Sequence, residues 1–250
     1  AGPPLEGRET FDWAALHAGF TGLAAARRLA ELRPDDRIAV VDADVVGEGA
    51  SGRNSGFAID HAHALGGVEN AGTAPSENRL YTEALRQLRA LVQENGIACD
   101  WRESGKYHAA MSQRGADEVL KPLLRHLEEA GMSCRWCDRA AMTEATGAQF
   151  YEAGVFTPGT VLVNPAALIR GVADALPENV TLFENTEVKG IETGARALLW
   201  TDEGAVEARG LILATNAYTP AVGFFGRQLL PLIAFASLSA PMNEAQQKAL

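Results

Sequence analysis

The sequence predicts an α/β protein built on a parallel sheet, and three observations lead to that prediction. A short apolar run, Ile38-Ala39-Val40-Val41, ends in Asp42, as a buried parallel strand would. Upstream, a glycine turn over 18–22 opens an alanine-rich helix, and downstream a second glycine-rich loop fills 47–56. A strand, a glycine turn, a helix and a second strand that ends in an acid are together typical of a nucleotide-binding half.

The remaining elements follow from hydrophobic periodicity and from helix start and stop signals. Gly96 and Gly131 are the expected stops of two helices, and Asn164-Pro165 is the expected start of another. We expect an extended arm over 1–10 and a loop over 57–75. Helices are predicted at 23–32, 77–95, 115–130, 165–176 and 243–250. Strands are predicted at 11–16, 37–42, 101–111, 180–183, 187–192, 197–201, 205–208 and 210–214.

The order of these elements predicts that one domain is discontinuous. We expect a nucleotide-binding domain formed by 1–98 and 164–222, in which helices cover a parallel sheet that carries a small antiparallel β section. An inserted α+β domain would comprise 99–163 and 223–250. Because the last predicted helix ends after about two turns, it is weakly held, and we expect this second domain to be incomplete and the chain to be part of a longer protein.

Composition and charge limit the classes of partner and site. A hydrophobic content of 47% over 250 residues allows a substantial core. The formal net charge of −10 argues against nucleic acid or an anionic membrane as the main partner. No apolar run reaches the roughly 18 residues of a membrane span, and no signal-peptide pattern is visible.

The cysteines favour a reducing, cytoplasmic setting. Cys99, Cys134 and Cys137 are too few and too unevenly placed for a disulfide framework. The pair Cys134 and Cys137 is compatible with a redox motif or with half of a zinc site. A zinc site needs about four ligands, and no second pair exists, so ordinary thiols are the favoured interpretation.

The first glycine turn departs from the dinucleotide pattern G-x-G-x-x-G at one position. It reads His17-Ala18-Gly19-Phe20-Thr21-Gly22, so His17 stands where the first glycine is usual. A residue other than glycine at positive φ costs roughly 1 kcal/mol, although histidine is among the types seen there more often. The imidazole would also crowd a phosphate. Taken alone, the turn is a weak signal, and plain helix packing is the favoured interpretation.

Asp42 strengthens the nucleotide interpretation. It follows His17 by 25 positions and stands at a strand end, where an acid about 20 residues after the turn usually binds the ribose hydroxyls. The alternative is a surface aspartate at the end of a strand. The turn over 33–36 accommodates the additional residues.

Two further segments add polar groups. The loop Gly49-Ala50-Ser51-Gly52-Arg53-Asn54-Ser55-Gly56 offers close backbone approach, two hydroxyls, an amide and a cation, which suits an anion or a polar ring. A flexible linker is the alternative. The strand 211–213 ends in Ala214-Thr215-Asn216, and small residues at the carboxyl end of a strand let a ligand lie against the backbone.

Together these motifs resemble those of the FAD-dependent oxidoreductases of the D-amino-acid-oxidase type. The branch most similar is that of gamma-glutamylputrescine oxidoreductase-like proteins, and the likeness covers nearly the whole chain. Its most specific part is the Gly49-Ala-Ser-Gly-Arg-Asn54 loop. The other matching segments are Pro3-Pro4-Leu5-Glu6-Gly7, Ala18-Gly-Phe-Thr-Gly-Leu23 and Ala214-Thr-Asn-Ala-Tyr218.

The resemblance implies a Rossmann-like FAD-binding domain and a set of contacts. The amides of 19–22 would hold the pyrophosphate, Asp42 the adenosine ribose, and the backbone of Val188, in a predicted strand, the adenine. The loop from 49 would line the phosphates and the flavin. The full set of implied FAD-contacting residues is His17, Ala18, Gly19, Phe20, Thr21, Gly22, Asp42, Ala43, Gly49, Ala50, Ser51, Arg53, Asn54, Ser55, Gly56, Val188, Ala214, Thr215 and Asn216.

The resemblance also implies an activity: oxidation of a small amine or amino acid by hydride transfer from the amine-bearing carbon to the flavin, giving an imine. Catalytic residues are not assigned. Tyr107 and His108 are candidates for substrate contact, with ordinary strand positions as the alternative. His61 and His63 lack the further ligands of a metal site, so no metal is expected.

Two other functions remain open at this stage. Assembly into a homo-oligomer also remains open. One is a non-catalytic remnant or partial subunit of such an enzyme. The other is an NAD-dependent dehydrogenase, which would not need the loop over 49–56.

Overall fold

The computed structural model describes residues 2–61, 74–232, 235 and 240–248. Contacts divide the chain into two compact units. The first comprises Ala1–Gly56, Leu91–Cys99 and Asn164–Ile233, and the second comprises Phe57–Ala90, Asp100–Val163 and Ala234–Leu250. Residues 57–90 lie in the second unit, whereas the sequence-based boundaries assign them to the nucleotide-binding domain. Those functional boundaries stay a prediction.

Strands and helices alternate along the first part of the chain and again after 164. The strands are β1 (Gly7–Leu16), β2 (Ile38–Val41), β3 (Phe57–Ala58), β4 (Lys106–Ala110), β5 (Arg135–Asp138), β6 (Ala153–Thr157), β7 (Val161–Leu162), β8 (Val180–Phe183), β9 (Gly190–Glu192), β10 (Ala197–Trp200) and β11 (Gly204–Leu213). The helices are α1 (Phe20–Leu32), α2 (Ala74–Glu94), α3 (Gln113–Gly115), α4 (Lys121–Glu129), α5 (Arg139–Thr146), α6 (Pro165–Asp174) and α7 (Glu244–Lys248). A π-helical turn covers Ala116–Leu120, and a 3-10 helix covers Asn216–Val222.

The first unit is built on a six-stranded sheet in the order β8-β2-β1-β11-β10-β9. The first four of these strands are parallel, and β11, β10 and β9 pair antiparallel. The α/β class, with its mostly parallel sheet and small antiparallel section, is therefore confirmed. In register, Leu16 pairs with both Val41 and Leu213, so β1, β2 and β11 end level at one edge.

Small and branched apolar residues make this sheet compact. All four residues of β2 are buried, as expected of a central parallel strand covered on both faces. Helix α1 buries a stripe formed by Gly22, Leu23, Ala26 and Ala30. The main core cluster draws on five strands and the N-terminal segment, and consists of Leu5, Phe11, Ala14, Leu16, Ala39, Val41, Phe183, Ala197, Leu199, Val206 and Ala208.

The second unit contains a three-stranded antiparallel sheet in the order β4-β6-β5 and a small pair, β3 with β7. One face of the larger sheet packs against the π-helical turn and α4. The buried residues of that core are Ala110, Ala116, Leu120, Leu127, Ala153 and Val155.

The structure corrects several predicted elements of the first unit. Strand β1 begins at Gly7, within the predicted extended arm, because it pairs with β11 along its whole length. The two strands predicted at 205–208 and 210–214 are one strand. Gly210 lies within this strand and pairs with Trp13 of β1. A glycine is needed there because a Cβ would lie 2.3 Å from the Trp13 ring. The strand predicted at 187–192 begins only at Gly190, so Val188 precedes it.

Other corrections concern the second unit. The strand predicted at 101–111 is shortened to β4, because Gly105 takes φ +65° and breaks the extended run. The helix predicted at 115–130 contains the π-helical turn. Elements β3, β5, β6, β7 and α5 were not predicted. Helix α5 is bounded by Asp138, whose side chain accepts from the Ala141 amide, and by Gly147 at φ 72°. Between these caps the helix has only about two turns, so its hydrophobic periodicity is too short to predict it from the sequence.

The end of the chain and the long loop are described in part. Helix α7 covers 244–248 of the helix predicted at 243–250, and 249–250 lie outside the described residues. Of the predicted loop, 57–58 form β3 and 74–75 begin α2, while 62–73 lie outside the described residues. Within the described ranges, no helix has both the length and the apolar character needed to cross a membrane.

Candidate functional site

The carboxyl ends of β1, β2 and β11 form the centre of the candidate site. The His17 amide donates to the Val41 carbonyl at 2.7 Å, and the Ala214 amide donates to the Leu16 carbonyl at 3.1 Å. The backbone leaves each strand immediately afterwards. Three predicted segments, the glycine turn, Asp42 and Ala214–Asn216, therefore meet at one sheet edge, the place where open α/β sheets bind ligands.

His17 holds the position of the missing first glycine and takes a left-handed conformation, with φ 87°. Its Nδ1 lies 2.7 Å from Oδ2 of Asp42. The backbone amide of Ala18 donates to the same oxygen at 2.6 Å, and the amide of Asp44 donates to Oδ1 at 3.0 Å. The Asp42 carboxylate, only 6% exposed, thus fixes the turn that departs from the glycine pattern.

The two side chains shift each other's pKa in opposite directions. The hydrogen bond to Asp42 raises the pKa of His17 above its ordinary value, outweighing the effect of burial, and the charges of Asp42 and Asp44 act in the same sense. Burial alone would raise the pKa of Asp42. Hydrogen bonds from His17 and from the amides of Asp44 and Ala18 together lower it. Both effects favour a protonated imidazole beside an ionised carboxylate.

The His17 ring lies close to two glycines. A Cβ at Gly19 would be 3.7 Å from Nε2 of His17, and a Cβ at Gly49 would be 3.8 Å from it. The loop over 49–56 also contacts the start of α1, where the Phe20 amide donates to Oγ of Ser51 at 3.1 Å. The predicted second loop and the predicted first turn are therefore neighbours.

Close packing explains the last glycine of the turn. A Cβ at Gly22 would lie 1.9 Å from the His17 carbonyl oxygen and 3.4 Å from Cβ of Ala214. Helix α1 can approach β1 and β11 only because Gly22 and Ala214 are small. Beyond Ala214, the buried hydroxyls of Thr215 and Thr219 lie 2.8 Å apart at the start of the 3-10 helix.

Most polar side chains of the loop over 49–56 contact the protein itself. The Asn54 amide donates to the carbonyls of Ala50 and Ser51 at 3.1 and 2.8 Å, and its Oδ1 accepts from the Gly56 amide at 2.9 Å. Arg53 forms an ion pair with Glu48, and Glu48 also pairs with Arg170 at 3.1 Å. Asn54 thus fixes the shape of the loop, and the ion pair of Arg53 connects the loop to Glu48 immediately before it.

The remaining predicted residues lie at the margin of this cluster. Ala43, Gly49, Ala50 and Ser55 are exposed, whereas Gly56 is buried with φ 75°. Val188 packs against the main core cluster rather than standing in a strand. No geometry here tests its expected contact with adenine, which stays a prediction.

Sequence reasoning missed Glu184, which follows β8 as Asp42 follows β2. It is 2% exposed, and its carboxylate accepts from the Val46 amide at 2.6 Å and from the Gly2 amide. Thr186 accepts from the Leu5 amide at 3.0 Å. These two residues fix the N-terminal segment and the loop after β2. An acid directly after a short apolar strand was the available signal.

The candidates in the second unit have ordinary structural contacts. The rings of Tyr107 and Phe156 are tilted against each other with centroids 4.7 Å apart, and the Tyr107 hydroxyl accepts from Arg135 at 3.4 Å. The rings of His108 and His61 lie 6.2 Å apart. His61 is 2% exposed and bonded at 2.9 Å to Asp60, and this bond is the main cause that lowers the Asp60 pKa.

His63 lies outside the described residues. Among those that are described, no group of three His, Cys, Asp or Glu side chains is arranged to hold a metal ion. Cys134 and Cys137 are free thiols.

A comparison with protein families decides the affiliation of the chain. The model of the family described as "DAO: FAD dependent oxidoreductase" matches residues 18–249. The chain belongs to this family. The FAD-dependent oxidoreductase resemblance of the motifs is thereby confirmed, and the cofactor of the family is FAD.

Relatives of this FAD-dependent oxidoreductase support the assignment. It is 26% identical to "Probable oxidoreductase OrdL" of Haemophilus influenzae over 97% of this chain and 58% of that protein. It is 27% identical to "Gamma-glutamylputrescine oxidoreductase" of Escherichia coli over 84% of this chain and 50% of that protein. The chain therefore spans about half the length of the curated relatives that it matches.

The fold is similar to that of glycine oxidase from Geobacillus kaustophilus. The TM-score is 0.74 at 21% identity, and the match covers 86% of this chain and 57% of that one. At this identity the likeness concerns the fold alone. It agrees with the parallel sheet and glycine turn described above.

The residues at the sheet edge fit FAD. Helix α1 has 13 residues and no acidic residue in its first turn, so its amides and dipole favour a phosphate. Oδ1 of Asp42 accepts one hydrogen bond here, and a carboxylate oxygen can accept a second, which leaves capacity for a ribose hydroxyl. The single departure is the imidazole of His17, which is a cation when protonated and is then compatible with an anion.

Proposed function

We propose that the protein uses FAD to oxidise a small amine or amino acid. The observation that supports this most strongly is the convergence at one sheet edge of the α1 N-terminus, Asp42 and Ser51, in a chain of the FAD-dependent oxidoreductase family. The named relative that acts on gamma-glutamylputrescine suggests an amine as substrate.

In this proposal the residues of the first unit bind and orient the cofactor. Backbone amides of 19–22 donate to the pyrophosphate, since the first amides of a helix have no intrahelical acceptor. Asp42 accepts from the adenosine ribose, while its other oxygen keeps the turn at His17 in shape. Ser51 and Asn54 place the loop backbone beside the phosphates and the flavin.

Water would hydrolyse the imine product. When bound, FAD would supply the acceptor for the hydride that leaves the amine-bearing carbon of the substrate. In that step the substrate loses two electrons and the amine nitrogen loses a proton. The protein would hold the substrate amine in its neutral form and exclude competing water. Tyr107 and His108 remain proposals for substrate contact.

We also propose a cytoplasmic location. The support is the number and spacing of the cysteines, which are too few and too unevenly placed for a disulfide framework, as is usual where thiols are kept reduced.

Purification under native conditions tests the proposal. The protein should carry the visible absorbance of an oxidised flavin, and acid release should yield FAD by mass. The protein is then mixed, without oxygen, with each member of a panel of amines and amino acids. Compounds of the true substrate class should reduce the flavin and remove its visible absorbance. A protein that retains FAD but is bleached by no panel member would contradict the activity and leave cofactor binding intact. A protein that binds NAD and ignores FAD would contradict both.

Two variants make the cofactor test specific. Ser51→Ala removes the hydroxyl that accepts from the α1 N-terminus, and we expect weaker FAD binding. Ser133→Ala changes an exposed serine of the second unit, outside the expected cofactor-contacting set, and serves as the control, with affinity close to wild type. Equal affinities for both variants would count against the placement of the loop on the cofactor.

A further inference from the structure

We propose that His17 is a phosphate-binding residue that contacts the FAD pyrophosphate through Nε2 when its ring is protonated, so that affinity for the dinucleotide falls as pH rises. This inference rests on the proposed use of FAD and concerns the residue that replaces the first glycine of the turn.

The tautomer of His17 follows from its partner. Because an ionised carboxylate only accepts hydrogen bonds, Nδ1 of His17 carries the proton that is shared with Oδ2 of Asp42 at 2.7 Å. In a neutral ring Nε2 is then an acceptor, and its lone pair would face a phosphate oxygen. In a protonated ring Nε2 is a donor. The neutral ring would therefore repel a phosphate oxygen at Nε2, whereas the protonated ring would attract it.

Nε2 of His17 is close to the segments that are expected to contact the pyrophosphate. It lies close to both Gly19, the N-cap of α1, and Gly49, which opens the second loop: a Cβ built at either would be within 4 Å of Nε2. Both are residues at which a backbone can approach a pyrophosphate closely. The His17 side chain is 34% exposed, so a ligand can reach it, while Asp42 on the other side is buried.

The charges around the ring favour the protonated form. On the loop after β2, Asp42 and Asp44 both raise the pKa of His17. On α1 there is no acidic residue in the first turn. On the second loop, Glu48 is paired with Arg53 and Arg170. The segment that follows β11, Ala214–Asn216, carries no ionisable side chain.

This arrangement also accounts for the strain at His17. A residue other than glycine is strained at φ 87°. The bond to Asp42 offsets that strain, and a charge-assisted bond to phosphate would add affinity that glycine cannot supply.

FAD titration of the flavin-free chain over a range of pH tests the proposal. With binding followed by calorimetry, the dissociation constant of the wild type should rise about tenfold from acid to alkaline pH, as expected for loss of one charge-assisted hydrogen bond. His17→Gln cannot carry charge and should bind FAD more weakly at acid pH with little pH dependence. His126→Gln, a change on α4 in the second unit, should keep the slope of the wild type.

A second readout does not depend on the variants. Because linkage is reciprocal, FAD that binds the protonated ring better must raise the pKa of His17. The ¹⁵N shifts of its imidazole, followed by NMR across pH with and without FAD, should show that increase. An unchanged or lowered pKa in the complex would overturn the proposal.

His17→Gly separates the possible failures, because it restores the glycine pattern and relieves the positive φ. Tighter FAD binding than wild type at every pH would show that His17 obstructs the phosphate, which overturns this inference and leaves the proposed function standing. A wild-type slope in His17→Gln would also overturn it. No FAD binding by wild type or by His17→Gly would overturn the proposed function together with the inference.

Discussion

Oδ2 of Asp42 accepts hydrogen bonds from both Nδ1 of His17, at 2.7 Å, and the Ala18 backbone, at 2.6 Å. A single carboxylate oxygen thus holds the residue that replaces a glycine and the residue after it. The acid that is expected to bind a ribose also stabilises the turn over 17–22. The turn, the acid and the second loop therefore depend on one another.

Replacing Asp42 should lower the pKa of His17. Asp42→Asn keeps the shape of the side chain and removes the charge that is shared with Nδ1, so the raised pKa should move back toward its ordinary value of 6.5. An NMR titration of the His17 ring measures the shift. Asp44→Asn is the control and should change it less, because Asp44 acts on His17 only through its charge. Equal shifts in both variants would contradict the assigned pair.

The same pair predicts a pH dependence of stability. The pKa of His17 is raised by folding, so its contribution is full below 6.5 and is lost as pH rises through the folded pKa. The pKa of Asp42 is lowered, so its contribution is full above 3.8 and is lost as pH falls through the folded pKa. The pair should therefore stabilise the fold most between these values.

His17→Asn tests this window, because asparagine tolerates positive φ but has no charge. Urea unfolding across pH should give the largest loss of unfolding free energy, relative to wild type, between pH 3.8 and 6.5. That difference should shrink at higher pH. A difference that grows steadily above neutrality would show that the pair does not act as described.

Adding a methyl group at Gly22 should destabilise the first unit. In Gly22→Ala the new Cβ would lie 1.9 Å from the His17 carbonyl oxygen, so α1 must move away from β1, at a cost of about 1–3 kcal/mol. Gly194→Ala is a matched control, since the nearest atom to its Cβ lies 3.8 Å away. Denaturant unfolding should separate the two variants, and equal stabilities would argue against close packing at Gly22.

Removing the buried acid after β8 should loosen the loop that follows β2. Glu184→Ala leaves the buried Val46 amide without its acceptor, which costs about 1–3 kcal/mol. Glu187→Ala changes a nearby side chain that is 64% exposed and should cost less than about 0.5 kcal/mol. Hydrogen exchange at the Val46 amide should accelerate in the first variant only. Unchanged protection there would mean that Glu184 does not hold the loop.

Where residues are apolar and local signals agree, the fold could be predicted. The run Ile38–Val41 gave a buried strand, and Gly96, Gly131 and the Asn164 cap marked real helix ends, with φ 60° and 70° at the two glycines. The missed elements are short: β6 has five residues and α5 has eight. Their stability comes from pairing and packing with distant residues, which a local pattern does not reveal.

For the site, the sequence indicated which segments meet but not which atoms pair. His17 at positive φ was expected, and the structure confirms that conformation. Its bond to Asp42 was not expected, because a bond across 25 positions depends on β1 and β2 lying side by side. The contacts of Asn54 and Arg53 within the loop were missed for a different reason: they depend on how an irregular loop folds back on itself, which its glycines do not specify.

The most direct test of the central claim is hydrogen exchange by mass spectrometry, with and without FAD, on the intact chain. FAD should protect the amides of 17–22 and those of the loop over 42–56, because both line the edge formed by β1, β2 and β11. Protection confined to other segments, or no protection at saturating FAD, would contradict the assignment of this edge as the FAD site.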